Sequence, residues 1–150
     1  MSDTNESTVN KDLIVQGLRS LGLQRGDVVM VHSSLSSFGR VDGGADAVID
    51  ALLETLGEAG TLLMPSHTDV PLNSAEYDPE TTPVRKNIGH IPHTFWRRPD
   101  VLRGAHPPRH PWAAKGRLAA GLIRLSESRA IGSHHVAGIL NALAALDGYI

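Results

Sequence analysis

The stretch Val31-His32-Ser33-Ser34-Leu35-Ser36-Ser37-Phe38-Gly39-Arg40-Val41-Asp42-Gly43-Gly44 decides how this chain is read. Just before it, Val28-Val29-Met30 runs into Val31 as a short apolar segment of the kind that forms a buried strand. Just after it, Val48, Ile49, Leu52, Leu53 and Leu56 recur at helical spacing, so 45–56 reads as an amphipathic helix. A polar, small-residue loop between a strand and a helix N-terminus is where α/β proteins hold phosphates, because unpaired N–H groups and the helix dipole both favour negative charge. Ser33, Ser34 and Ser36 offer hydroxyls, and Gly39, Gly43 and Gly44 allow close backbone approach or positive φ. The loop is neither a Walker loop, having no Gly-Lys-Ser/Thr, nor Gly-x-Gly-x-x-Gly. Two readings stay open: a plain strand-to-helix connection, or a cradle for a long, flexible, phosphorylated ligand. Asp42 argues against a tight phosphate contact at its own side chain.

Working outward, Leu13, Ile14, Gly17, Leu18 and Leu21 share one helical face, with Gly22 as the stop. Arg25-Gly26-Asp27 turns the chain into the strand at 28–31. Thr61-Leu62-Leu63-Met64 is a second strand, closed by Pro65. The order α-β-loop-α-β predicts a parallel pair with a crossover helix, and ligands of such sheets bind beyond the carboxyl ends of the strands. The segment 66–90 has little periodicity, and Pro79 and Pro83 make 77–83 a structured loop. Short helices are expected at 91–96 and 118–125, and a strand starts at Val101-Leu102. A last helix is expected with Ser133 as its cap and Val136, Ile139, Leu140, Leu143 and Leu146 on its apolar side. Asp147-Gly148 then turns into an incipient strand at Tyr149-Ile150.

Length and composition bound the function classes. A chain of 150 residues with 41% hydrophobic and 20% charged residues is one ordinary globular domain. Its net charge of −2 gives no electrostatic case for nucleic acid, and no apolar run is long enough for a membrane span. The polar, acidic residues 1–8 read as a disordered tail rather than a signal peptide. The absence of cysteine excludes a disulfide, a thiolate metal site and a cysteine nucleophile, and fits a cytoplasmic location.

Several groups invite chemistry. Ser33 as a hydrolase nucleophile lacks the Gly-x-Ser-x-Gly elbow. Among eight histidines, His90 with His93 and His106 with His110 have metal-like spacing. Pro92 and Pro107-Pro108 are expected to prevent the regular helix that would align each pair, so no metal is expected. Asp69, Glu76, Asp78 and Glu80 form an acidic loop that suits a cationic substrate or, more plainly, solvent.

These residues, taken in order, resemble the aminoglycoside 3-N-acetyltransferase family, which is distinct from the commoner acetyltransferase fold. The resemblance rests on Leu21-Gly22 with Gly26-Asp27, Val31-His32-Ser33-Ser34-Leu35, Gly39 with Val41 and Gly43-Gly44, and Gly60-Thr61-Leu62-Leu63-Met64-Pro65. It continues through Tyr77-Asp78-Pro79 with Thr81-Thr82-Pro83, Ile88-Gly89, Phe95 with Arg97-Arg98, His106-Pro107, Ala113-Ala114 with Gly116, and 143–148. The family usually has a Ser or Thr where this chain has His110-Pro111.

The resemblance implies a layered α/β/α fold with a central, mostly parallel sheet, incomplete at its C-terminal end, and an acetyl-CoA-binding portion over 9–150. It implies that the donor is held by His32, Ser33, Ser34, Leu35, Ser36, Phe38, Gly39, Val41, Gly43, Gly44 and His106, the opening loop taking the pantetheine and pyrophosphate. The acceptor implied is a polycationic aminoglycoside, acetylated at an amine of its 2-deoxystreptamine ring and met by Asp69, Glu76, Asp78 and Glu80. The family's catalytic base, a histidine supported by a carboxylate, belongs to a C-terminal half expected beyond Ile150. The expectation is therefore a truncated antibiotic-resistance acyltransferase of weak or no activity, the alternative being a non-catalytic CoA-binding remnant. An unfinished strand at Ile150 suggests self-association.

Overall fold

A computed structural model describes residues 8–71, 75–105, 111–127 and 138–150. Its elements are α1 (Lys11–Ser20), β1 (Val28–Met30), α2 (Gly44–Leu56), β2 (Thr61–Pro65), α3 (His90–Phe95), β3 (Leu102–Arg103), β4 (Trp112–Gly116), α4 (Ala119–Ser126) and α5 (Ile139–Ala145). The sheet has the order β1-β2-β4-β3. Strands β1 and β2 are parallel, as the sequence predicts, with Val29 opposite Leu62. The rest departs from the mostly parallel expectation: β4 runs antiparallel to both β2 and β3. Strand β3 ends at Arg103 and β4 starts at Trp112, a connection too short for a helical crossover, so the chain returns antiparallel.

Alternation along the central strands builds two cores. Val29, Leu62, Met64 and Ala113 face one side with Ile14 and Val15 of α1, Val48, Ile49 and Leu52 of α2, and Ile91 and Phe95 of α3. Val28, Met30, Leu63, Trp112 and Ala114 face the other with Leu122 and Ile123 of α4 and Ile139 and Leu143 of α5. A sheet covered on both faces needs apolar residues at every strand position, which is why these strands read as continuous apolar runs. The α/β/α layering is thus present.

Particular elements differ from their sequence reading. In α1 the buried residues are Ile14 and Val15, while Leu13 and Leu21 are exposed, so the apolar stripe is rotated from the expected face. Pro92 does not prevent a helix. It sits in the first turn of α3, where its missing N–H has no intrahelical partner to lose, and His90 and His93 come to share a face. Strand β4 was not legible, and β3 starts one residue later than expected. The cap expected at Ser133, Val136 and the whole tail at 1–7 lie outside the described residues. Gly138 caps α5, and Leu146 is exposed instead of joining the buried Ile139 and Leu143.

At the end of the chain, the Tyr149 backbone N–H donates to Val28 and the Met30 N–H donates to Tyr149, so the incipient strand does pair parallel with β1. Gly148 makes this return possible, because a Cβ there would lie 2.4 Å from Leu143 Cδ1 and 2.9 Å from the Val28 carbonyl oxygen. Gly116, at φ 126°, is equally constrained: a Cβ would meet the Gly60 carbonyl oxygen at 2.1 Å.

The loop after β2 is fastened by one buried cation. The Arg103 guanidinium donates to the carbonyls of Ser66 (3.0 Å), Pro79 (3.2 Å) and Thr82. It lies over the rings of Trp96 (4.5 Å) and Tyr77 (5.5 Å). The Tyr77 hydroxyl donates to the Gly104 carbonyl at 2.6 Å. Burial pushes Arg103 below, and Tyr77 above, their ordinary pKa values. Within the loop the Glu80 backbone N–H and Thr81 hold the Asp78 carboxyl below the usual carboxylate range.

Three outcomes are expected. Gly116→Ala should destabilise the protein by roughly 2–3 kcal/mol, because backbone must shift to admit the methyl, as read from urea unfolding. Arg103→Lys keeps the charge but not the fork; each carbonyl left unpaired costs about 1–3 kcal/mol, and amide exchange at 78–82 should quicken. A depressed carboxyl stabilises the fold above its unfolded pKa, and the stabilisation is lost as pH falls through the folded one. Acid should therefore loosen the 78–82 turn, and Asp78→Asn should abolish that pH dependence.

Candidate functional site

The opening loop leaves β1 at the carboxyl edge of the parallel pair, where the Val31 N–H still donates to Leu63. A single 3-10 turn at Leu35–Phe38 follows, closed at Gly39 with φ 70°. The Ser34 and Ser36 hydroxyls are 2.9 Å apart and hydrogen-bonded to each other. Leu35 and Val41 pack against the core beneath, so their side chains anchor the loop. Val41 is also held by a parallel bridge to Val9, with the Asp42 N–H donating to the Val9 carbonyl. Gly43 and Gly44 both have positive φ, 81° and 58°, which starts α2 abruptly. A Cβ on Gly43 would lie 3.1 Å from that of Ala47.

His32, Ser33, Ser34, Ser37 and Phe38 open together onto an apolar cavity of about 1120 Å³ bounded by α1, β1 and Tyr149-Ile150. Five large apolar side chains on its walls are exposed: Leu13, Leu21, Phe38, Tyr149 and Ile150. Exposed apolar residues concentrated around one groove mark a binding surface.

The same sheet edge carries residues that sequence reasoning did not single out. The Trp112 indole, at the start of β4, stands edge-on to His32 (6.0 Å between ring centres, 90°) and to His67 (6.1 Å, 79°). Ser33 Oγ, Ser66 Oγ and Trp112 Nε1 are all buried without a hydrogen-bond partner. Buried polar atoms are normally satisfied, so donors left open at a strand edge point to a ligand or ordered water there. The signal for Trp112 was present as the run Trp112-Ala113-Ala114, but the prolines before it masked a strand start.

The acidic residues are only partly gathered. Asp69 pairs with Arg85 at 2.7 Å, and the Arg85 guanidinium also donates to the Thr68 carbonyl. Asp78 accepts from the Glu80 N–H at 2.8 Å and so caps its own turn. Glu76, Asp78 and Glu80 are exposed, on a loop tied to the β2 end through the Arg103 clamp on Pro79 and Thr82. His106 lies outside the described residues. No group of three or more His, Cys, Asp or Glu with metal-ligand geometry occurs among the described residues.

The family model described as aminoglycoside 3-N-acetyltransferase matches residues 30–150. Aminoglycoside N(3)-acetyltransferase IV from Salmonella sp is 36% identical over 137 residues, 91% of this chain and 50% of the relative. The prophage-derived acetyltransferase-like protein YokD of Bacillus subtilis (strain 168) is 38% identical over 117 residues, 65% of this chain and 43% of the relative. The crystal structure of aminoglycoside acetyltransferase AAC(3)-IVa, as the apoenzyme, superposes with a TM-score of 0.84 at 33% identity, covering 97% of this chain and 54% of that one. A variant of AAC(3)-IVa in complex with a gentamicin superposes with a TM-score of 0.72 at 36% identity, covering 79% of this chain and 44% of that one. The chain spans about half the length of the curated relatives it matches. With its motifs in order and its layers superposed on a solved member, the chain belongs to the aminoglycoside 3-N-acetyltransferase family.

Proposed function

We propose that this chain forms the acetyl-donor side of an aminoglycoside 3-N-acetyltransferase site, with acetyl-CoA as donor and a polycationic aminoglycoside as acceptor. The observation that carries this reading is the opening of His32, Ser33, Ser34, Ser37 and Phe38 onto one large apolar cavity beside the unpartnered Ser33 hydroxyl. An acyl-pantetheine arm has that mixed character, amide and thioester groups strung along an apolar chain. The gentamicin complex of AAC(3)-IVa supports an aminoglycoside acceptor.

The bound thioester supplies an activated acetyl group. The reaction forms a C–N bond to the acceptor amine and breaks the C–S bond, the amine proton passing to a base and the thiolate leaving on CoA. Oxygen charge that develops at the carbonyl calls for preorganised donors, and Ser33 Oγ, Ser66 Oγ and Trp112 Nε1 are buried groups at this edge without a hydrogen-bond partner. The ammonium groups of the acceptor call for carboxylates, the role assigned to Asp69, Glu76, Asp78 and Glu80. At Asp69 the acceptor competes with Arg85. No catalytic base is assigned within 1–150, so the chain by itself is expected to turn over weakly or not at all. This reading implies a cytoplasmic location, where CoA thioesters are supplied, and lets the exposed apolar groove drive self-association.

Titration calorimetry should show CoA binding to the 150-residue chain, while thiol release with gentamicin or kanamycin stays near background. Robust turnover would overturn the second expectation, and absence of any CoA heat at millimolar concentration the first. Asp69→Asn and Glu80→Gln should each weaken aminoglycoside binding by about two- to fivefold, as expected for exposed ion pairs, and leave CoA binding unchanged.

A further inference from the structure

Just past the end of α3, two cations sit against one ring. The Arg103 guanidinium carbon lies 4.5 Å from the centre of the Trp96 ring, and that of Arg97 lies 4.8 Å from the same centre. The indole and both guanidinium side chains line an open cavity of about 670 Å³, walled on another side by the acidic loop at 79–81. None of its wall residues lines the apolar cavity beside the opening loop, so the two are separate places.

Two donors at this cavity are unspent. The terminal nitrogens of Arg103 donate to the carbonyls of Ser66, Pro79 and Thr82, but its Nε makes no hydrogen bond, and neither does Trp96 Nε1. Arg103 is only 9% and Trp96 only 7% exposed, so both N–H groups are buried without a partner. A buried donor left open carries its full desolvation cost, and a charged one the most.

Charge is unbalanced at the same spot. Arg85, Arg98 and Lys115 each face a carboxylate, whereas Arg97 makes no ion pair among the described residues. The one carboxylate on the cavity wall, Glu80, is exposed and bridges to neither guanidinium. Like charges around a common cavity repel, and Arg97 adds to the burial that pushes Arg103 below its ordinary pKa. Ordered water would satisfy the two open hydrogens but not the charge. An oxyanion satisfies both, because its oxygens accept from Nε and Nε1 and match the planar fork of Arg97.

We propose that Trp96, Arg97 and Arg103 form a binding site for a small oxyanion, a carboxylate or phosphate group, that accepts from Trp96 Nε1, Arg103 Nε and the Arg97 guanidinium. The site acts on the acidic loop. Arg103 holds that loop through Pro79 and Thr82, and an anion that relieves the repulsion from Arg97 tightens the hold. Neither the donor nor the acceptor reading is needed for this.

The chain has two tryptophans, so its two indole N–H resonances can be told apart by Trp112→Phe. The test titrates the whole chain with inorganic phosphate and with acetate, at constant ionic strength, and follows the Trp96 resonance. It should move saturably at millimolar anion. Saturation by phosphate only marks a phosphate site, and saturation by acetate a carboxylate site; either supports the proposal. Arg97→Gln, at an exposed position, should keep its fold by circular dichroism and weaken binding about tenfold, as expected for losing charge-assisted bonds. Arg97→Lys, which keeps the charge without the fork, should fall between the two. Amide exchange at 78–82 should slow when the wild type is saturated. No saturable shift with either anion, or equal affinity in wild type and Arg97→Gln, would overturn the site. A saturable shift with unaltered exchange would overturn its action on the loop.

Discussion

A buried guanidinium calls for partners, and in this fold the two terminal nitrogens of Arg103 donate to backbone carbonyls and the group lies over aromatic faces, while its Nε makes no hydrogen bond. Its partners come from three places: Ser66 just past β2, Pro79 and Thr82 in the acidic loop, and the rings of Tyr77 and Trp96. One side chain therefore sets the position of the long irregular segment relative to the sheet edge. Tyr77 reinforces it by donating to the Gly104 carbonyl, the residue next to Arg103. A loop with little regular structure gains a defined place because it supplies carbonyls that this buried cation bonds.

The second constraint is the closeness of backbones at the opposite ends of the strands. Gly60 and Gly116 meet where β2 starts and β4 ends, with no room for a methyl group. This contact lets β4 run antiparallel along β2 and deliver Trp112 to the carboxyl edge, opposite Pro65. There its indole meets His32, just past the end of β1, and His67, just past the end of β2. The site at that edge is thus assembled from one parallel pair and one antiparallel return. The serine- and glycine-rich loop comes from the former and its aromatic neighbour Trp112 from the latter.

The legible parts of the sequence were those governed by local chemistry. The apolar run at 28–31, the serine and glycine loop after it and the periodic helix at 45–56 are each visible within a few residues of one another, and the structure has them in that form. Pro92 misled because proline is a breaker only where a helical N–H is needed, and the first turn needs none. Strand β4 escaped notice because Trp112-Ala113-Ala114-Lys115-Gly116 has neither β-branched residues nor clean alternation; its strand conformation is dictated by β2 and β3 on either side. The expected apolar face of α1 was rotated because Leu13 and Leu21 line a groove instead of filling the core.

The sequence by itself determined the α/β class, the parallel pair and the serine- and glycine-rich loop, because short-range periodicity and glycine placement encode these directly, and its motifs in order carried the family resemblance. Only the tertiary structure decided which carboxylates are engaged, Asp69 by Arg85 and Asp78 by its own turn. It alone brought Trp112 to His32 and set the Arg97 and Arg103 guanidiniums against the Trp96 ring. The physical reason is range: pairing, burial and charge convergence join residues tens of positions apart, and no local pattern records which of them will meet.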